Sequence, residues 1–138
     1  MKTENKLIAE FMGAQILSPN TKYSMVQYPL DVTTKTPFQH RETYKQLIHS
    51  KDLEYDSNWS WLMPVVEKIE SLKAKSGKNY QVTIKSDTCS ITDPEFFMKG
   101  AEYYSLFEVA RIGVDNKIDT CYLTIIQFIT WYNQQQPC

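Results

Sequence analysis

The stretch "WSWLMPVVEKIESLKAKSGKNYQVTIKSDTCSIT", residues 59–92, changes its hydrophobic period part-way along, and that change decides the fold class. Leu62, Val65, Val66, Ile69 and Leu72 recur at helical spacing, with Glu67, Lys68, Glu70, Lys73 and Lys75 mostly on the other side. Ser57 or Asn58 supplies the cap and Gly77 the stop. Pro64 has no N–H, so the carbonyl of Ser60 loses its usual partner; the regular helix is expected to start near Ser60 with Trp59 at its lip. Trp59 and Trp61 cannot share one helical face, so at least one is expected to be a packing anchor. After Gly77 the period becomes two. Tyr80, Val82 and Ile84 alternate with Gln81, Thr83 and Lys85, Ser86-Asp87 turns the chain, and "TCSIT" places Cys89 and Ile91 on one face of a second strand.

The pattern extends in both directions. Downstream, the loop "DPEFFMKGAEYY" leads to a third strand in "SLFEVARIGV", where Phe107 and Val109 alternate with Glu108 and Ala110. Asp119 then caps a helix from Thr120 to about Asn133, with Tyr122, Ile125, Ile126, Ile129 and Tyr132 on one face, widened by Cys121, Phe128 and Trp131. Upstream, Glu4 to Met12 reads as a short helix with Leu7, Ile8, Phe11 and Met12 on one face, ended by Gly13. Residues 14–55 are the least readable. Pro19-Asn20 is a turn, "KYSMVQYPL" a short strand with Tyr23 and Met25 on one face, and Gln39 to Leu53 a short helix carrying Tyr44, Leu47 and Ile48. The expected fold is α+β: a small antiparallel sheet of about three strands covered by helices in an α-β-α layered sandwich. Its order is helix, variable segment, helix, three strands, helix, in a single domain with 14–55 as a loop-rich excursion.

Composition narrows the function classes. At 138 residues, with formal charge −1 and 42% hydrophobic residues, the chain is long enough to bury one core. No long-range field steers it onto nucleic acid or an anionic membrane. "CYLTIIQFITWY" is shorter than the roughly 20 residues that span a bilayer, and the N-terminus does not read as a signal peptide; a cytoplasmic location is expected. Cys89, Cys121 and Cys138 are odd in number and widely spaced, which suits reduced thiols.

Three segments, "NKLIAEFMG", "SNWSWLMPVVEKIE" and "CYLTIIQFITWYNQQ", together resemble small uncharacterised proteins encoded by phages and prophages of gut Bacteroidales. The likeness covers residues 5–13 and 53–135, and more distantly resembles the phage ABA sandwich domain. From that domain the chain departs by having Thr and aromatic residues where alanines are usual in the last helix. The resemblance implies the layered fold and a phage or prophage origin. It carries no catalytic or binding residues.

For acid–base chemistry the candidates are Asp56, Asp87, Asp93 and Glu95, with His40 and His49. Each carboxylate falls in a turn or cap, where acidic residues serve local hydrogen bonding, and no motif links them. Neither histidine lies near a cysteine at ligand spacing, so no metal is expected, and no glycine-rich phosphate loop or other cofactor motif is present. "KTPFQHRETYK" interleaves basic and aromatic residues, but Glu42 and Asp31 dilute its charge, and a solvated face is the better reading than a nucleic-acid site. The 13% aromatic content points instead to contact surface. The candidate interaction residues are Tyr23, Tyr28, Phe38, Arg41, Tyr44, Phe96, Phe97, Tyr103 and Tyr104. The reading is a phage or prophage accessory protein that binds a host or phage protein, or self-associates. A small-molecule or nucleotide binder is the alternative, and an enzyme using turn carboxylates comes third.

Overall fold

The computed structural model describes residues 4–17, 24–28, 46–74, 77–94, 107–110 and 116–135. The chain is α+β and divides into two compact units, Met1–Val65 and Val66–Cys138.

In the first unit, α1 (Glu4–Phe11) buries Asn5, Ile8 and Ala9. It ends as the sequence predicts: the amide of Gly13 donates to Glu10 O at 3.0 Å and that of Ala14 to Ala9 O at 2.9 Å. This paired closure needs a left-handed residue, and Gly13 supplies it at φ 95°. Strands β1 (Gln15–Leu17), β2 (Met25–Tyr28) and β3 (Gln46–His49) follow, antiparallel in the order β1-β2-β3. Val26 lies opposite Ile16 on one side and Ile48 on the other. Alternation buries Val26 and Tyr28 and leaves Met25 exposed, so among the described residues the strand expected in "KYSMVQYPL" is present over Met25–Tyr28.

The helix expected over Gln39 to Leu53 is not found among its described residues: Leu47 and Ile48 belong to β3, followed by a 3-10 turn at Ser50–Asp52. A short Tyr44, Leu47, Ile48 spacing fits either period, and the distant pairing with β2 decides it. The segment read as an excursion therefore contributes a second sheet beside the one expected. Tyr55, Trp61, Leu62 and Val65 complete this unit's core.

The division falls within α2 (Trp59–Ser71). Its cap is Asn58, whose Oδ1 accepts from the amide of Ser60 at 2.9 Å. Gly77 is not its stop. The helix ends at Ser71; Lys73 bridges Asn79, and the amide of Tyr80 donates to the carbonyl of Leu72 at 3.1 Å. Gly77, at φ 89°, donates to Ala74 O at 3.0 Å and belongs to the turn that closes this bridge.

In the second unit, β4 (Gln81–Ile84), β5 (Thr88–Thr92) and β6 (Phe107–Ala110) form an antiparallel sheet in chain order. Ser86-Asp87 is the two-residue hairpin expected, closed by the Lys85 amide on Thr88 O at 2.8 Å. β5 buries Cys89 and Ile91, while Val82 and Ile84 on the edge strand stay partly exposed. Helix α3 (Lys117–Gln135) packs on β5 and β6. It begins before the expected Thr120, because Asn116 rather than Asp119 is the cap: Asn116 Oδ1 accepts from the Asp119 amide at 3.0 Å. Asp119 sits in the first turn, where its charge faces the positive end of the helix.

Candidate functional site

The first unit gathers its buried polar groups around α1 and the chain leading into α2. Asn5 Nδ2 donates to Leu53 O at 3.1 Å and to Asp56 Oδ1 at 3.0 Å. Lys6 Nζ donates to Ser24 Oγ at 3.1 Å. The hydroxyls of Tyr28 and Tyr55 share one hydrogen bond at 2.5 Å, one donating and the other accepting. The Tyr55 ring meets Trp61 edge to face at 5.2 Å.

Burial is the main reason that both tyrosines hold their protons far above the ordinary phenol range, and for Tyr55 the neighbouring Tyr28 adds to it. A pair of neutral phenols in this setting orders the core; neither offers a phenolate as base or nucleophile. Tyr28→Phe removes the partner of the Tyr55 hydroxyl and should cost about 1–3 kcal/mol in urea melts, with the double Phe variant recovering part of that loss.

The pair also predicts alkaline sensitivity. Below the ordinary tyrosine value of 10.0 both folded and unfolded chains are protonated and the full stability is present. Above it the unfolded tyrosines ionise while the buried pair does not, so stability falls with rising pH by about 1.4 kcal/mol per unit for each residue. Melts at pH 9 and pH 11 should show wild type losing about 2–3 kcal/mol more than the double Phe variant.

In the second unit, Cys89 on β5 and Cys121 on α3 are both buried free thiols, and each shifts the other's titration. The neighbouring Cys121 thiol holds Cys89 below the ordinary thiol value, and Cys89 together with burial pushes Cys121 well above it. Thr124 Oγ1 lies 2.9 Å from Thr120 O and 3.2 Å from Cys89 O, so its single proton is shared between its own helix and the sheet.

Beyond the thiols, Phe128 is fully buried and organises a ring cluster. Tyr80 and Phe107 meet it edge to face, with centroids at 5.0 and 5.8 Å, Tyr132 stacks on it at 5.6 Å, and Trp131 tilts against it at 6.0 Å. Phe107, Trp131 and Tyr132 are partly exposed. Burial, then Asp93, then Tyr132 raise the Tyr80 phenol above its ordinary value.

Of the surface residues expected from sequence, Tyr28 is described and is withdrawn: it is fully buried, its ring in the first core and its hydroxyl on Tyr55. Tyr23, Phe38, Arg41, Tyr44, Phe96, Phe97, Tyr103 and Tyr104 lie outside the described residues, as do His40 and Glu95. The remaining acid–base candidates are dispersed. Asp56 accepts from Asn5, Asp87 is exposed in the hairpin turn, Asp93 is 1% exposed after β5, and His49 Nδ1 accepts from the Lys51 amide at 3.2 Å. Among the described residues no three His, Cys, Asp or Glu side chains group to hold a metal ion, and no helix is long and apolar enough to cross a membrane.

Reading by sequence passed over Asn5, Tyr55 and Thr124, whose partners are distant or one helical turn away. It took Trp131 and Tyr132 only as core-facing; their place on the last turns of an amphipathic helix was the available signal. The chain matches no family model, no curated protein and no solved structure.

Proposed function

We propose that the protein is a binding protein whose contact surface includes the C-terminal end of α3, and that its partner is another protein. The observation that carries this reading is the pair of partly exposed rings, Trp131 and Tyr132, held against the fully buried Phe128. Rings fixed in this way before contact lose little rotamer freedom on binding, and Trp and Tyr are the residues that most often dominate interface energetics. Around them Thr130, Asn133, Gln134 and Gln135 are exposed, neutral and able to donate and accept hydrogen bonds. A partner matched to this end presents an apolar centre with a polar, uncharged rim. The resemblance to phage and prophage proteins supports, within this proposal, a partner from the bacterial host or among the phage's own proteins, met in the host cytoplasm.

The test is capture of partners from phage-infected host cells by the tagged wild-type chain, by a Trp131→Ser/Tyr132→Ser variant, and by Leu123→Ser, an exposed position earlier on the same helix. Loss of two anchor rings should weaken a captured partner by about 30-fold or more, while Leu123→Ser retains it. Melting curves alongside establish that the double variant is folded. Equal capture by a folded double variant would remove this surface from the proposal. A complex containing only further copies of the chain would make the surface a self-association face.

A further inference from the structure

We infer that Cys89 and Cys121 form a redox-responsive dithiol that a small hydroperoxide closes into a disulfide, covalently joining β5 to α3. The placement rests on backbone as well as side chains. Cys89 sits on the central strand of its sheet, paired with Ile84 on one side and Val109 on the other, so its main chain is fixed from both edges. Thr124 lies one turn beyond Cys121 on the same face of α3, and its hydroxyl reaches the carbonyl of Cys89 itself at 3.2 Å. That contact brings this turn of α3 onto the strand at Cys89, and both cysteine side chains are buried there as free thiols. A disulfide holds its sulfurs at ~2.05 Å with Cα atoms roughly 4.4–6.8 Å apart, a span that side-chain rotation can close between a strand and a helix turn docked on it.

The chemistry balances with the peroxide alone. The Cys89 sulfur, which ionises more readily than that of Cys121, attacks one peroxide oxygen. The O–O bond breaks, and the departing hydroxide takes the Cys89 proton as water. The Cys121 sulfur then attacks the Cys89 sulfenic acid; its S–O bond breaks, and the hydroxide released takes the Cys121 proton as a second water. Two thiols lose two electrons and two protons, and one hydroperoxide is reduced. Both sulfurs are buried, so oxidation waits for the first turns of α3 to lift from β5, and closure then locks those turns down.

The experiment treats the full chain, carrying Cys138→Ser to remove the third thiol, with hydrogen peroxide. The protein is then alkylated in denaturant and its intact mass and peptide map are measured. The expected product has lost both alkylatable thiols and two hydrogens, carries a Cys89–Cys121 cross-linked peptide, and melts about 10 °C higher; dithiothreitol reverses all three. The mass readout needs no change at either cysteine, so it stands even if Cys89→Ala or Cys121→Ala fails to fold. Two thiols still alkylatable after extended peroxide treatment would overturn the inference. So would sulfinic acid accumulating on Cys89 without the cross-link.

Discussion

Replacing Phe128 by alanine should lower the stability of the second unit by about 3–5 kcal/mol, a large share of the roughly 5–15 kcal/mol that holds a typical domain folded. The residue is fully buried, and its ring is the common neighbour of Tyr80, Phe107, Trp131 and Tyr132. Removing it leaves a cavity in α3's packing layer and strips edge-to-face and stacked contacts worth about 0.5–1.5 kcal/mol each beyond their buried area. Urea melts followed by near-ultraviolet circular dichroism should show the midpoint falling and the aromatic signal collapsing even where helix persists. Phe128→Leu, which keeps most of the apolar volume, should cost about half as much. A loss under about 1 kcal/mol in Phe128→Ala would mean that the cluster is not the core of this unit.

The second large effect separates the two tryptophans at the start of α2. Trp61 is 5% exposed and meets Tyr55 edge to face, whereas Trp59 is partly exposed at the first helical position. Trp61→Ala should cost about 3–5 kcal/mol, and Trp59→Ala about 1 kcal/mol. The asymmetry is the informative result. Equal losses in chemical denaturation would contradict Trp61 as the anchor, and neither variant losing stability would make the pair a surface feature.

Those two residues also show how far the sequence could be read. Their spacing established that only one could continue the stripe of Leu62, Val65 and Val66, and the helix, the hairpin after it and α3 all follow from periods complete within one segment. The first sheet was harder to read because β1 to β3 have only three or four residues each, and the pairing of Val26 with Ile48 is set by a partner distant in the chain. Tyr28 was misread for a related reason. A tyrosine looks equally suited to a surface or a core until its hydroxyl partner is known, and Tyr55 is far along the sequence. At the start of α3, Asn116 and Asp119 are both good capping residues, and only the hydrogen bond between them identifies the cap.

The candidate site was legible only in kind. High aromatic content pointed to contact surface, but which rings are held at the surface depends on what Phe128 packs against. The polar atoms buried in the first unit, including Asn5 and its bonds to Leu53 and Asp56, join segments that no local pattern connects. Acidic residues in turns were expected to serve local hydrogen bonding; Asp56 instead accepts from the distant Asn5, tying α1 to the start of α2.

The binding proposal is tested most directly by placing a photoreactive phenylalanine analogue at position 131 and, separately, at position 123, and irradiating phage-infected host cells. If α3's aromatic end is the contact surface, position 131 cross-links to one defined protein and position 123 does not. A folded chain that cross-links from neither position, or equally from both, would contradict it.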